Sequence, residues 1–389
     1  MENLPVPRIA LFLLVVNLVS ISIHAYVGSR ILAVLPPASL AAKLVWPALT
    51  TLFFLMIATL FVARVAPPSI WSKSVVVAGF TWMGLAFLLL AAGFAGDLSG
   101  LLLRFAGWIL QQDLSVQSRW IRAAFLVAAP LAAVHGIFQA LRPPQIREIE
   151  IPVAGLAHEW DGVRIAHVTD THIGPILGKA WTEDLVRRVD STKPDIVVHT
   201  GDLVDGTVGA LRNAVEPLSR LKGREGTFFV TGNHEGYSGI GPWCDQMRAW
   251  GWDVLANETR ILSRHGARLA IAGITDAHEG GLRHGTAPDV VEALRGVPSD
   301  VPVVLLAHQP VQALLAQGKG VSLQLSGHTH GGQIWPFNLL VRLQQPMVSG
   351  YARVGDVPVF TSRGAGFWGP PMRIGARAEV PILVLRRKV

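Results

Sequence analysis

The chain has a single cysteine, Cys244, which excludes an intrachain disulfide and leaves no set of thiolates from which to build a metal site. A buried or incidental thiol is its expected state. Charge is also scarce: Asp, Glu, Lys and Arg make up 16% of the 389 residues, against 50% hydrophobic ones and a mean hydropathy of +0.40. That balance is high for a soluble protein and directs attention to membrane spans. The charge that is present is mostly basic, a formal +7, but Lys and Arg are scattered and form no stripe of the kind a nucleic-acid binder needs. Anionic surfaces and phosphorylated substrates are therefore the expected partners, and nucleic acid is not. The chain contains no internal repeat and no low-complexity segment.

Four runs lack Asp, Glu, Lys and Arg altogether: Ile9 to Ser29, Leu44 to Ala63, Ser74 to Gly96 and Ala123 to Leu141. Each is about 20 residues long, enough to cross the hydrocarbon layer as a helix. Trp46, Trp71, Trp108 and Trp120 lie near or between the run ends, where interfacial aromatics concentrate. Pro47 and Pro130 fall inside runs, which membrane helices tolerate. The stretch Leu101 to Leu110 is apolar but short and is interrupted by Arg104, so it is expected at the interface, folded back on the bundle or re-entrant. A cleavable signal peptide is disfavoured for the first run, which is long, lacks a small-x-small site and precedes three further spans. Basic residues flanking the spans balance between the two sides. The short segment behind Arg8 is thus the sole pointer to a cytoplasmic C-terminal domain on a multi-pass protein of the cell (inner) membrane.

After Leu141 the composition changes. Pro143 and Pro144 break the helical pattern, charges become frequent and short β-branched runs begin to alternate with helical patterns. Residues 1–145 therefore read as a four-span helical region and 146–389 as a separate domain. Strands are expected at Val163 to Val168, Ile196 to Val198, Phe228 to Val230, Ala270 to Ile274, Val303 to Leu306, Val321 to Leu325 and Ile382 to Leu385. Between several of them, Trp181, Leu185 and Val189 share a helix face, as do Leu211, Val215 and Leu218; Val290, Val291 and Leu294 form a shorter example. The architecture implied is α/β or mixed-sheet.

Five polar clusters sit just after apolar runs: Asp170-Thr171-His172, Gly201-Asp202-Leu203-Val204-Asp205, Gly232-Asn233-His234-Glu235, His308, and Gly327-His328-Thr329-His330-Gly331-Gly332. Loops beyond strand carboxyl ends are where α/β folds bind ligands. In Asp-x-His and His-x-His, residues two apart on an extended segment point the same way, so each pair can face a single metal. With Asp202, Asn233 and His308, these pairs offer enough oxygen and imidazole donors for two divalent cations, of a kind suited to Mn, Fe, Zn or Co. Two cations about 4 Å apart can lower the pKa of a shared water and clamp an in-line displacement at phosphorus. Taken alone, His308 reads as a packed histidine and Asn233 and Asp205 as turn residues; the ensemble changes that. Gly331 and Gly332 are read as a turn.

These clusters, in this order, resemble the calcineurin-like metallophosphoesterase superfamily. The ending GHTHGGQ, with Ser362-Arg363-Gly364 before Pro370-Pro371, resembles its membrane-associated YkuE-like or YaeI-like bacterial branch. The resemblance starts near Glu150 and does not touch the four spans. It implies an αββα sandwich of two mixed sheets flanked by helices. It also implies one metal on Asp170, His172 and His330, another on Asn233, His308 and His328, and Asp202 bridging both. His234 matches the catalytic histidine, and Asp205 the residue that orients it and raises its pKa. One departure is that Gly206 stands where the protein Ser/Thr phosphatases carry a phosphate-binding Arg; Arg363 is the candidate replacement.

The resulting expectation is a membrane-anchored phosphoesterase that hydrolyses a phosphomonoester, phosphodiester or pyrophosphate by in-line attack of a metal-bridging hydroxide. The anchor, and distant relatives that cleave a lipid precursor, make a lipid-linked substrate one option. The alternative is a non-enzymatic transporter or scaffold with a metal-binding domain, motivated by the four spans and by His135 inside the last of them. Against that motive, His135 is expected to be hydrogen-bonded to a neighbouring helix. His167 and His199 are expected to support the site, and His158, His265, His278 and His284 to lie on surfaces or loops. Trp243, Trp250 and Trp252 are expected in the core.

Overall fold

A computed structural model describes residues 6–65, 69–278 and 286–388. The chain forms two compact units, one reaching to Leu141 and including Gly369–Ile374, the other comprising the rest from Arg142.

The first unit holds α1 (Val6–Val34), α2 (Leu40–Val65), α3 (Ile70–Leu110) and α4 (Ser115–Leu141). All four are long and apolar enough to cross a membrane. Leu101 to Leu110 is not a separate interfacial or re-entrant piece: it continues α3, whose 41 residues span about 60 Å at 1.5 Å per residue. No proline interrupts this part of the helix, and just ahead of it an acidic residue finds partners on α1. Asp97 pairs with Arg30 at 3.1 Å and accepts from Tyr26 Oη at 2.7 Å. At Gly100 a Cβ would come within 2.5 Å of Arg122 Nη2, so glycine here admits the α4 side chain.

The interhelical histidine is His24, not His135. His24 is buried, its Nδ1 donates to Ser20 O at 2.7 Å and its Nε2 accepts from Trp82 Nε1 at 3.0 Å, whereas His135 lies on an exposed face. Gly369–Ile374 packs with α3 and α4: Arg373 N donates to Gly136 O at 2.9 Å, and a Cβ on Gly84 would meet Met372 Sδ at 2.7 Å.

The second unit contains, among the described residues, strands β1 (Gln145–Val153), β2 (Arg164–Val168), β3 (Ile196–Thr200), β4 (Gly226–Val230), β5 (Asp253–Val254) and β6 (Glu258–Arg264). These are followed by β7 (Ala267–Gly273), β8 (Val303–Leu306), β9 (Leu323–Ser326), β10 (Gly350–Val354), β11 (Val357–Thr361) and β12 (Glu379–Arg387). They build two mixed sheets, ordered β1-β12-β2-β3-β4-β5 and β10-β11-β9-β8-β7-β6.

Alternation along the central strands divides the core into three layers. Ile165, Ile196, Val198 and Phe228 of the first sheet meet Ile271, Val304, Leu306 and Leu325 of the second. Val197 and Phe229 face the other way, onto helices Lys179–Asp190, Val208–Val215 and Ile240–Ala249. Ala270, Ala272, Val303 and Leu305 face the short helices Val290–Ala293 and Ala313–Ala316. The result is an αββα sandwich. Burial on both faces explains why the central strands read as unbroken apolar runs. Strands β1, β6 and β10 lie at sheet edges with half-exposed patterns and gave no such run. Within this core Trp243 and Trp252 are buried, with Trp250 packed against them, and Cys244 is buried alongside.

Phe228→Ala should open a cavity between the sheets worth about 3–5 kcal/mol, read as a clear fall in the thermal midpoint of the detergent-solubilised protein. An unchanged midpoint would mean the two sheets do not share this core.

Candidate metal centre

Strands β2, β3 and β4 are parallel neighbours, as are β7, β8 and β9. Their carboxyl ends therefore open at one edge of each sheet, and the polar clusters follow those ends: Asp170 and His172 after β2, Asp202 after β3, Asn233 and His234 after β4, His308 after β8, and His328 and His330 after β9. Each loop turns sharply. Asp170, His172, Asp202, His328 and His330 all carry left-handed backbone, with φ between 42° and 67°, a conformation that costs non-glycine residues energy. Loops that pack together tightly hold it in place. A Cβ on Gly327 would lie 2.2 Å from Asp170 Oδ2, and one on Gly201 2.5 Å from Gly232 N.

The left-handed turns also correct the reading of the paired motifs as extended segments. Asp170 and His172 do reach one cluster, with His330. His328 and His330 part company, because His328 joins Asp202 and His308 in a second cluster. A third group unites His172, Asp205 and His234.

The clusters are continuous with one another. His172 Nε2 lies 3.0 Å from His330 Nε2, and His330 Nε2 lies 3.6 Å from Asp170 Oδ1. His308 Nε2 is 3.2 Å from both His328 Nδ1 and Asp202 Oδ2, while Asp202 Oδ2 is 3.7 Å from His172 Nε2. Asp205 Oδ1 accepts from His172 Nδ1 at 2.9 Å and from His234 Nδ1 at 2.6 Å. His308 Nδ1 donates to Thr200 O at 2.7 Å, which turns Nε2 toward Asp202.

Burial makes this charge arrangement tense. It pushes the Asp170 carboxyl up. At Asp202 burial acts in the same direction but is outweighed by His308, His234 and His172, which hold that carboxyl well below its usual range. Burial, reinforced by His308, takes His328 down to about 4. At His234 burial lowers the pKa, yet Asp202 and Asp205 raise it to about 9 overall.

The donor set fits divalent cations. Asn233 is buried and its Oδ1 has no hydrogen-bond partner, the state of an oxygen awaiting a cation. Imidazole nitrogens of His172 and His330 face each other at hydrogen-bond distance, where a shared cation would satisfy both lone pairs. Oxygen and imidazole without thiolate suit a hard or borderline metal.

Some contributors had no role assigned from sequence. Glu235, fully buried, accepts from the backbone N–H of Asp202, Leu203, Val204 and Gly232, tying the β3 and β4 loops together. Its place beside Asn233-His234 was visible; its direction was not. Asp276 follows β7 just as the other clusters follow their strands, and it holds His278 at 3.1 Å and Gln309 at 2.8 Å beside His308. That same strand-end rule could have found it. Tyr237 and Trp368 flank the His234 ring, with centroids at 5.4 and 6.2 Å.

The remaining histidines sort clearly. His167 and His199 are fully buried and bonded to Thr200 and Thr171, and burial lowers each to about 3. His158 and His265 are exposed, and His284 lies outside the described residues. Arg363 is half-buried, its stem against Gly331.

An αββα sandwich with carboxylates and imidazoles gathered at the strand ends defines the class of metallophosphoesterase domains. The chain belongs to the calcineurin-like metallophosphoesterase family, whose model, described as calcineurin-like phosphoesterase, matches residues 163–332. A transmembrane protein with metallophosphoesterase domain from Danio rerio is 37% identical over 67% of this chain and 62% of its own length. An uncharacterized metallophosphoesterase of Helicobacter pylori is 36% identical over 69% of this chain and 71% of its own. Bacillus subtilis YkuE, also named an uncharacterized metallophosphoesterase, is 29% identical over 65% and 90%. The chain thus spans less than two thirds of the zebrafish relative, as it does of a bovine one at 62%. The four helices long and apolar enough to cross a membrane, beside relatives named as transmembrane proteins, support membrane association.

Gly327→Val would drive a side chain into Asp170 and Thr169. Metal analysis of the purified protein should then show the bound metal lost, with secondary structure by circular dichroism retained; full metal content would show the loop has room to spare.

Proposed function

We propose that the protein is a membrane-anchored phosphoesterase that uses two divalent cations to hydrolyse phosphomonoester, phosphodiester or pyrophosphate bonds, with lipid-linked molecules among its substrates. The carrying observation is the continuous set of clusters around Asp202 and His172, completed by the unpartnered Asn233 oxygen. Asp170, His172 and His330 would hold one cation and Asn233, His308 and His328 the other. Asp202, between His308 and His172, would serve both. Such cations, whether Mn, Fe, Zn or Co, would supply Lewis-acid polarisation and an activated water at phosphorus.

The chain's own side chains supply the rest. Asp205 holds Nδ1 of His234, which leaves Nε2 to give a proton to the departing oxygen. The carboxylates of Asp202 and Asp205 favour the imidazolium that this requires. Because Asp205 also holds His172, the position of the acid is linked to that of a metal-holding residue. Glu235 fixes the loop that carries Asp202. Arg363 is the cationic side chain proposed to meet the phosphoryl oxygens. The anchor is proposed to be multi-pass in the cell (inner) membrane, with this domain on the cytoplasmic side. Of the two motives for the non-enzymatic alternative, the four apolar helices stand and His135 falls away, since it lies on an exposed face of α4 and not against a neighbouring helix.

Purified protein should turn over an aryl phosphate ester when Mn is supplied and stop when it is chelated; turnover without metal would sink the reading. Asp202→Asn or His234→Ala should each lower kcat by about a hundredfold or more. His234 acts as its protonated form, which is lost as pH rises, and bound cations would repel the imidazolium. The alkaline limb of kcat/KM should therefore fall at or below pH 9, the value set by the two carboxylates, and vanish in the residual activity of His234→Ala. A limb that survives the substitution would assign the acid elsewhere.

A further inference from the structure

Beside the centre lies an exposed apolar stretch that the centre does not use. From Trp335 to Leu343 the chain carries one charge, Arg342, and its short helix Asn338–Val341 has no buried residue. Trp335 is 60% exposed and Leu343 80%, with Leu339 and Leu340 exposed between them. Isolated exposed leucines are ordinary, but a contiguous apolar stretch of this kind marks an interaction surface. Trp, Leu and a flanking Arg are the composition of a segment that rests at a membrane interface.

The segment is fastened to the reacting end of the centre. It starts directly after the loop of His328 and His330. Gln333 Nε2 donates to Trp368 O at 2.8 Å, and Trp368 N returns a bond to Gln333 Oε1 at 3.0 Å. Trp368 is itself exposed and lies edge-on to His234. Its next residue, Gly369, begins the stretch that packs with the membrane-length helices α3 and α4. Of this apolar set Trp368 is the member whose next residue in sequence belongs to the unit with the membrane-length helices, and that continuity argues for lipid as the occupant.

We infer that Trp335–Leu343 and Trp368 lie in the headgroup layer of the bilayer, and that the centre consequently takes phosphate esters carried on lipids in preference to soluble ones. The substrate half of this rests on the phosphoesterase reading above; the bilayer contact stands apart from it.

Full-length protein in proteoliposomes tests both halves. Cys244 is buried, so Leu340→Cys offers an accessible thiol for an environment-sensitive fluorophore, with Asp300→Cys, at the amino end of β8 and away from the centre, as control. Lipids bearing a nitroxide near the headgroup should quench the label at 340 several-fold more than the label at 300; equal quenching overturns the bilayer contact. In the second arm, the Mn-loaded triple variant Leu339→Ser, Leu340→Ser, Leu343→Ser should lose about tenfold in kcat/KM on vesicle-borne phosphatidic acid or a polyprenyl pyrophosphate while its aryl ester turnover holds. Equal change on both substrate types, or a wild type that cleaves the aryl ester and neither lipid, overturns the lipid preference. A wild type that cleaves none of them counts instead against the phosphoesterase reading, and the quenching result then decides the bilayer contact by itself.

Discussion

A carboxylate removed from water needs positive charge or donors close by, and Asp202 sets the terms for everything around it. It is buried beside His308 and His172, its own backbone N–H is taken by Glu235, and its Oδ1 receives the N–H of His234. One side chain thereby connects loops from β3, β4 and β8 with the His172 loop. Glu235, pushed up to about 8 by burial and by Asp202, shows how much negative charge has been gathered in one place. A cavity so arranged is completed by cations, and the unpartnered oxygen of Asn233 has the same requirement.

The sandwich exists, in functional terms, to hold those loops at fixed separations. Two sheets packed through Phe228, Ile271 and Leu306 bring strand ends from opposite layers to one edge. Five of the converging residues then sit in left-handed backbone, strain that only dense surroundings such as Gly327 against Asp170 can impose. The membrane-associated unit follows a different logic, in which glycines let helices approach closely. Gly79, where a Cβ would lie 1.8 Å from Thr59 Oγ1, is one such contact, and the half-buried Asp97 and the buried His24 pair across helices.

Much of this was legible in local patterns. The apolar runs of β2, β3, β4 and β8 were plain because both of their faces are buried, and Asp170, Asp202, Asn233 and His308 stood out by following them. Edge strands β1, β6 and β10 were not legible, since a half-exposed alternating strand resembles a polar loop. Leu101 to Leu110 reads as a separate piece because Arg104 resembles an interruption, whereas α3 carries on through it unbroken.

By itself the sequence determined chemistry and order: which residues could bind metal, that each follows a strand, and that four apolar helices precede them. Only the tertiary structure decided partnership. It gave Asp205 a second imidazole in His172, made Glu235 the clasp between two loops and exchanged His135 for His24 as the interhelical histidine. The physical reason is that residue type and spacing are local properties. The direction a side chain takes from a left-handed turn, by contrast, is set by neighbours that can lie more than a hundred residues away in the chain, as Asp170 and Gly327 do.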